Sequence, residues 1–225
     1  MGEAAIRAVL FDIDGTLLVT GGAGGGAWRR AFEELHGIDV DIADHTDAGM
    51  TDPEIAAMVF RQVLGREGTP EERSKAIGCY LKHLPETVAE SDGYRVMPGI
   101  EKLLDELIDE GPLLGLVTGN IEAAAHIKLA RAGFNRYFSF GGYGSDSADR
   151  TEVTKAALRR GELVSGGALG NSACIAVGDT PRDVKAGHGA GIRVVGVATG
   201  SYSVDQLREA DADWALKTVE RDFPA

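Results

Sequence analysis

Oxygen-bearing side chains follow directly after three separate apolar segments of the chain. They are Asp12-Ile13-Asp14-Gly15-Thr16 after residues 6–11, Thr118-Gly119-Asn120 after residues 113–117, and Gly178-Asp179, with Asp183 close by, after residues 173–177. Carboxylate oxygens are the ligands that hard divalent cations prefer. The residue types therefore indicate metal or phosphate chemistry, provided that the fold brings the three places together.

The three apolar segments are short and aliphatic, which is typical of buried strands. The carboxyl ends of parallel strands lie at one edge of a sheet, so the polar residues that follow them converge there. Converging carboxylates repel each other, and a divalent cation relieves that repulsion. Mg²⁺ prefers a site with few carboxylates that is completed by waters and a substrate phosphate. A Mg²⁺ ion is therefore the expected cofactor.

The residues after Thr118 predict an anion-binding site beside the expected Mg²⁺ site. Thr118 precedes a predicted helix that ends at residue 132, and the unpaired N–H groups of a helix N-terminus bind anions. Capping of a helix or a turn explains one aspartate at a strand end. It does not explain three such ends in one chain, and we therefore expect a phosphate-handling site.

Strand and helix patterns alternate along most of the chain and predict an α/β fold. Predicted strands cover residues 6–11, 113–117, 137–142, 173–177, 193–198 and 213–216, with helices at 100–108, up to 132, at 151–160 and from 181. This alternation is typical of a Rossmann-like, doubly wound parallel sheet with right-handed crossovers.

Residues 28–90 interrupt the alternation, because they show helical periodicity and no strand pattern. We therefore expect a core of residues 1–18 and 95–225, and an inserted all-helical cap of residues 19–94 over the carboxyl ends of the strands. Thr51 and Glu54 have the spacing of a capping box. The loop 49–52 before that helix either faces a substrate or only caps the helix.

The glycine-rich stretch 20–27 lacks the Gly-Lys-Ser/Thr ending of a phosphate-binding loop. It predicts a flexible hinge on which the cap opens and closes, followed by a helix over residues 28–35.

Charge and cysteine content limit the expected partners. The 225-residue chain has a formal net charge of −12, which argues against a nucleic-acid or anionic-membrane surface. Cys79 and Cys174 have no metal-ligand spacing and predict two buried, reduced thiols. Reduced thiols are typical of a cytoplasmic protein, which is the expected location.

The motifs FDIDGTLL, VTGN and GDTPRDV resemble the first, second and fourth signature motifs of the haloacid dehalogenase-like hydrolase superfamily. The resemblance covers nearly the whole chain, because the segment between the first two motifs is similar to the all-helical cap of the phosphoglycolate phosphatase branch.

The resemblance implies a role for each matching residue. Asp12 is expected to attack phosphorus and form a phosphoaspartyl intermediate, and Asp14 to act as general acid and then general base. Thr118, together with Gly119 or Asn120, is expected to bind phosphoryl oxygens.

The resemblance also implies a set of ligands for Mg²⁺. The expected ligands are Asp12, the backbone carbonyl of Asp14, and Asp179. Asp183 is expected either near the metal or as the residue that orients the basic residue of the third motif.

The third motif departs from the family pattern, in which a Lys-Pro pair usually begins the helix before the fourth motif. Here that segment reads GSDSADRTEVTKAALRR. Arg150 lies at the predicted helix start and is the expected cation beside Asp12, because its fork binds phosphate in a bidentate manner. Lys155, one and a half turns later, is the alternative, and a surface role for Arg150 beside Asp146 and Asp149 is a third interpretation.

The expected function is a Mg²⁺-dependent phosphatase for a small phosphorylated metabolite of the phosphoglycolate or sugar-phosphate type. Relatives that cleave carbon–halogen bonds lack an acid at the position of Asp14, because a halide ion leaves without a proton. A phosphomutase similar to β-phosphoglucomutase and a non-catalytic binding protein are the alternatives. The expected partner is the small phosphorylated substrate, with no nucleic acid and no membrane, and with the chain as a monomer or homodimer.

Overall fold

The computed structural model describes residues 5–224, so the first four residues of the predicted core lie outside the described part. The strands are β1 (Ala8–Phe11), β2 (Leu18–Thr20), β3 (Tyr94–Val96), β4 (Leu113–Val117), β5 (Phe140–Gly142), β6 (Cys174–Gly178), β7 (Arg193–Val197) and β8 (Trp214–Leu216). The helices are α1 (Ala23–His36), α2 (Asp52–Gln62), α3 (Pro70–Glu90), α4 (Ile100–Glu110), α5 (Glu122–Ala130), α6 (Arg150–Ser165), α7 (Pro181–Gly189) and α8 (Val204–Glu209).

Six strands form one sheet in the order β5-β4-β1-β6-β7-β8, and every pair in it is parallel. The central strand β1 has β4 on one side and β6 on the other, with Phe11 level with Leu116 and Val177. The predicted doubly wound parallel sheet is confirmed. The three strands that precede the polar motifs are therefore direct neighbours, and their carboxyl ends form one crevice.

Alternate residues of β1 face opposite sides of the sheet, as the two-residue period of a strand requires. Val9 and Phe11 pack in one apolar cluster with residues of α4 and α5. Ala8 and Leu10 pack in another cluster with residues of α6, α7 and α8. All four side chains are fully buried, so β1 is anchored on both faces and Asp12 is placed at its end.

Helices α1, α2 and α3 pack mainly around an apolar cluster of their own. Trp28 of α1 stacks on Tyr80 of α3, with ring centroids 4.4 Å apart and an interplanar angle of 6°. The predicted capping box is confirmed, because Thr51 and Glu54 bond each other's backbone N–H groups at the start of α2.

A two-stranded antiparallel ribbon of β2 and β3 joins these helices to the core and was not predicted. Each strand has only three residues, which is too short for a sequence period to show. Gly21 and Gly93 touch across the base of the ribbon, where a Cβ on Gly93 would lie 2.8 Å from the Gly21 Cα. Glycine is needed here for the close approach of two backbones.

The helix predicted to begin at residue 28 begins five residues earlier, so only residues 20–22 of the glycine-rich stretch lie outside it. The hinge stays a prediction. Helix α1 begins at Ala23, after Gly22 with a φ of 86°, and includes Gly24, Gly25 and Gly26. Cβ atoms on these three glycines would lie 3.7–3.8 Å from Lys128, Ile42 and Thr87, in ordinary van der Waals contact, so the packing here does not require glycine. The packing of α1 against α3, in which Trp28 stacks on Tyr80, overrides the low helix propensity of glycine.

Other boundaries differ by a few residues. The strand predicted over residues 137–142 is only Phe140–Gly142, because Phe134–Arg136 forms a 3-10 turn that ends at Tyr137. The helix predicted to residue 132 ends at Ala130. The helix predicted over 151–160 runs from Arg150 to Ser165.

Asp52, the first residue of α2, connects the helices to the loop after β4. Its backbone N–H donates to the Gly119 carbonyl at 2.9 Å, and its Oδ2 accepts from the Ile121 N–H at 2.8 Å. Asp52 is 4% exposed. Burial raises the pKa of its carboxyl to about 6, against the opposing effect of Lys128.

Cys79 and Cys174 are both free and buried, as predicted. No helix within residues 5–224 is long and apolar enough to cross a membrane.

The helical assignment of the glycine stretch predicts opposite effects for two alanine substitutions. Gly26→Ala should raise the free energy of unfolding by about 0.5–1 kcal/mol, because alanine is the better helix former and its Cβ would lie 3.8 Å from Thr87 Cγ2. Gly21→Ala should lower it by at least about 1 kcal/mol, because φ is 62° there and Gly93 leaves no room. Urea denaturation followed by circular dichroism measures both. Equal effects of the two substitutions would contradict the helical assignment.

The ionisation of Asp52 should make the free energy of unfolding depend on pH. The folded state holds the Asp52 proton more tightly than the unfolded state, whose pKa is about 4, so ionisation costs stability as the pH rises from about 4 through about 6. Asn at position 52 keeps the oxygen that accepts from Ile121 and does not ionise. The free energy of unfolding of Asp52→Asn minus that of the wild type should therefore rise by about 2 kcal/mol between pH 4 and pH 7. Asp47→Asn, which removes a carboxylate that is 84% exposed, is the control for the loss of one charge. A difference for Asp52→Asn that does not change with pH would overturn the assignment.

Candidate active site

The three polar motifs meet in one cavity of about 360 Å³ at the carboxyl edge of the sheet. Strand pairing continues one residue beyond the strands, since the Asp12 N–H donates to Val177 at 2.9 Å and the Thr118 N–H to Gly142 at 3.1 Å. The predicted site residues that line the cavity are Asp12, Asp14, Thr118, Gly119, Asn120, Arg150 and Asp179. Asp183 lies directly behind them in the first turn of α7.

Asp12, Asp179 and Asp183 form a buried carboxylate cluster, with one oxygen of each within 4.8 Å of the others. Burial and the neighbouring Asp183 raise the pKa of Asp12 well above its ordinary value. The same two causes raise the pKa of Asp179 to about 7. A divalent cation among these oxygens would offset both the burial and the repulsion, so the donor set fits a hard metal ion.

Two glycines shape the pocket around Asp179. A Cβ on Gly15 would lie 2.5 Å from Asp179 Oδ2, and a Cβ on Gly200 would overlap the same oxygen. Thr16 Oγ1 donates to Asp179 Oδ1 at 3.3 Å. Sequence analysis named Gly15 only as part of the first motif, and it missed Gly200, which follows β7 and belongs to no motif.

Arg150, the first residue of α6, brings a cation into the carboxylate cluster. Its NH2 group bonds Asp12 Oδ1 at 3.3 Å and forms a short ion pair with Asp183 Oδ1. Asp183 and Asp12 raise the pKa of Arg150, against a lowering by burial. Arg150 Nε and NH1 are buried and have no hydrogen-bond partner among the described residues. These two donors are free to bind another anion.

Asp183 is held from two sides. Its Oδ2 accepts from the backbone N–H of Thr180 at 3.1 Å and from the Thr180 hydroxyl at 2.7 Å. Its Oδ1 is the partner of Arg150. Both oxygens are thus engaged with protein groups, which suits the orientation of Arg150.

Asp14 points away from the carboxylate cluster. Lys128 Nζ lies 2.9 and 2.8 Å from its two oxygens, and Asn120 Nδ2 donates to Oδ2 at 2.6 Å. Lys128 is only 6% exposed and was missed in the sequence. Lys128 lies on the buried face of α5, where the other residues are Ala124, Ala125 and Leu129. A lysine among apolar residues at this helical spacing is the sequence signal that could have identified it.

The loop after β4 is tied to the helices as well as to the cavity. Asn120 donates to Thr118 Oγ1 through its backbone N–H at 3.2 Å and through Nδ2 at 2.8 Å. A Cβ on Gly119 would lie 2.6 Å from the Met50 carbonyl, so glycine is also required by the loop before α2. Unpaired N–H groups were expected at the start of the helix after Thr118, but the N–H of Ile121, the residue before α5, donates to Asp52. The loop 49–52 therefore both caps α2 and lines the cavity.

Lys155, the alternative to Arg150, lies on the outer side of α6. Its Nζ pairs with Glu152 at 2.9 Å, its side chain is 42% exposed, and it does not line the cavity.

A second group of metal-ligating side chains lies on α1 and α3, away from the cavity. Glu34, Cys79 and His83 have ligand atoms within 4.8 Å of one another, since Cys79 and His83 are one helical turn apart. The expectation that Cys79 has no ligand spacing was therefore incomplete. Lys82 Nζ already bonds both Glu34 oxygens at 2.8 Å, so the carboxylate is paired.

Comparison with known proteins places these motifs in a family. A model of the family described as haloacid dehalogenase-like hydrolase matches residues 6–191. The chain is 28% identical over 211 residues to the probable phosphatase IndB of Dickeya dadantii (strain 3937), across 93% of this chain and 89% of that protein. It is 26% identical over 216 residues to the phosphoglycolate phosphatase of Synechococcus elongatus, across 95% and 93% of the two proteins.

A solved structure shows the same fold. The crystal structure described as a predicted phosphoglycolate phosphatase from Haemophilus somnus 129PT superposes with a TM-score of 0.74 at 20% identity, and 97% of each chain is covered. The family match extends from β1 to α7 and so includes every polar motif of the cavity. The chain belongs to the haloacid dehalogenase-like hydrolases.

Proposed function

We propose that this protein is a Mg²⁺-dependent phosphatase that hydrolyses a small phosphorylated metabolite through a phosphoaspartyl intermediate on Asp12. The observation that carries the proposal is the pairing of a buried carboxylate, Asp12, with Arg150, whose two remaining donors have no partner among the described residues. A nucleophile beside unused, charged hydrogen-bond donors is what transfer of a phosphoryl dianion requires. The relatives named as phosphatases support the same reaction class.

The residues proposed to hold the metal are Asp12, Asp179 and the backbone carbonyl of Asp14, with Asp183 beside them. When bound, Mg²⁺ neutralises charge on the phosphoryl oxygens and on the attacking carboxylate. The raised pKa of Asp179, about 7, reflects the same need for positive charge.

Asp12 is the proposed nucleophile. Its free oxygen attacks phosphorus, an O–P bond forms, and the bond from phosphorus to the leaving oxygen breaks. Asp14 donates its proton to that leaving oxygen, and then accepts one from the water that hydrolyses the phosphoaspartyl group. Lys128 and Asn120 hold the Asp14 carboxyl on the cavity side of β1, which keeps it away from the metal cluster.

Two elements are proposed to bind the phosphoryl oxygens. Arg150 supplies Nε and NH1 from α6, and the loop after β4 supplies Thr118 Oγ1 and the backbone of Gly119 and Asn120. Asp183 keeps Arg150 in place through their buried ion pair. Arginine replaces the lysine that is usual in the family, and its fork holds two oxygens at once.

The helices between residues 19 and 94 are proposed to act as the cap of this core. They close the side of the cavity that faces the leaving group, with Trp28 of α1, Asp52 of α2 and Tyr80 of α3 among the lining residues. Enclosure by these helices keeps bulk water from the phosphoaspartyl group until the leaving group departs.

Metal-dependent phosphate release tests the reaction. The wild type should release inorganic phosphate from small phosphate monoesters in the presence of Mg²⁺, and EDTA should abolish the release. Asp12→Asn should lower kcat at least about 1,000-fold, since the amide cannot form the acyl phosphate. A malachite-green assay measures the phosphate. Metal-independent release, or wild-type turnover by Asp12→Asn, would overturn the mechanism, and phosphate exchange between esters without release would favour the mutase alternative.

Substitution of the two candidate cations tests the third motif. Arg150→Met should lower kcat/KM at least about 100-fold, because the oxygens of Asp12 and the phosphoryl group lose their charged donor. Lys155→Met is the matched control and should stay within about twofold of the wild type, because an exposed pair with Glu152 contributes little. Differential scanning fluorimetry reports whether Arg150→Met is folded. A larger loss of kcat/KM in Lys155→Met than in Arg150→Met would instead make Lys155 the cation that acts beside Asp12.

A further inference from the structure

The helices α1 and α2, together with α5, make a second wall of the cavity. Trp28, Asp52 and Lys128 line this wall, and each is at least nine-tenths buried. None of the three belongs to a motif that handles the phosphoryl group. Asp14 connects the wall to the reaction centre, because Lys128 binds the carboxyl that protonates the leaving oxygen.

Asp52 is the carboxylate of this wall that has no ion pair among the described residues. Its Oδ2 accepts from a neutral backbone N–H. Lys128, the cation that lowers the pKa of Asp52, binds both oxygens of Asp14, and Arg150 lies with the carboxylates of Asp12 and Asp183. A further anion placed beside Asp52 would therefore meet a buried carboxylate with no cation bonded to it.

Trp28 supplies a donor beside that charge. Its Nε1 is buried and makes no hydrogen bond within the described residues, although its N–H is close enough to Asp52 to lower the pKa of that carboxyl. The indole ring stacks with Tyr80 and with Phe32. Its unpartnered N–H is therefore the polar group that Trp28 can offer to a ligand.

A hydroxyl group matches this pair of residues. Its oxygen accepts from the Trp28 Nε1–H, and its own proton is donated to the Asp52 carboxylate, so that both groups are satisfied. A carboxylate or a second phosphate has no proton to donate to Asp52 and brings a like charge against it. Gly24 and Gly25 of α1 line the same side of the cavity without side chains, which leaves room for a small hydroxylated group.

We propose that Trp28 and Asp52, with Lys128 beside them, form the subsite for the leaving group, and that this subsite selects a small, uncharged, hydroxyl-bearing alcohol over one that carries a second negative charge. The inference rests on the proposed phosphatase function and names the substrate class within it: monoesters of polyol or sugar type, rather than phosphoglycolate type.

A matched pair of substrates tests the selection. The pair is 2-hydroxyethyl phosphate and phosphoglycolate, which differ only in a CH₂OH group against a carboxylate. The wild type should hydrolyse 2-hydroxyethyl phosphate with a kcat/KM at least tenfold higher. Ethyl phosphate has neither the hydroxyl nor the carboxylate. Its hydrolysis therefore tests the phosphatase function without involving the proposed subsite. If no ester is hydrolysed, the phosphatase function fails, whereas hydrolysis of ethyl phosphate with a preference for phosphoglycolate overturns the subsite alone.

Two variants assign the selection to the named residues. Asp52→Asn keeps the acceptor for Ile121 and removes the charge, so the ratio of kcat/KM between the paired substrates should fall at least fivefold. Trp28→Phe keeps the stacking and removes the donor, so it should raise KM for 2-hydroxyethyl phosphate more than for ethyl phosphate. Asp47→Asn, at the exposed rim beside Arg182, is the charge-matched control and should leave the ratio unchanged. An unchanged ratio in Asp52→Asn, or an equal change in Asp47→Asn, would overturn the assignment.

Discussion

Repulsion between buried carboxylates is the constraint around which this fold is arranged. Asp12, Asp179 and Asp183 each have an oxygen within 4.8 Å of the others, although burial already disfavours the charge on Asp12 and Asp179. They stay together because the parallel strands β1 and β6 are adjacent, and because Arg150 enters the cluster at the start of α6. The free energy of packing on both faces of the sheet therefore maintains an arrangement that is unfavourable by itself.

The parts of the site that sequence analysis found are those that depend on local order. Each motif stands directly after a buried strand, so the apolar segment identifies the strand and the strand places the motif. Lys128 could not be found in this way, because its role depends on the distance between α5 and the end of β1, which only tertiary packing sets. The choice between Arg150 and Lys155 depended on which side of α6 faces the sheet, and the low amphipathicity of that helix left both open.

Residues 19–94, between the two parts of the predicted core, show a second reason why sequence analysis was incomplete. Its helical character was evident from periodicity, but the glycines at 24–26 were interpreted from composition alone, as a flexible stretch. Their helical conformation depends on the packing of α1 against α3, which lies far from it in the chain. The ribbon of β2 and β3 was missed for a related reason, since three-residue strands are stabilised by their partner and carry no pattern of their own.

The ribbon of β2 and β3 determines how the segment between these two strands is attached to the rest of the protein. The chain leaves the sheet through β2 and returns through β3, and Gly21 and Gly93 bring the two crossings into backbone contact. Whatever lies between them is inserted at a single point, so its length and sequence can change while the ends stay where they are. A segment of another length or sequence can thus occupy this place without moving the residues at the carboxyl edge of the sheet.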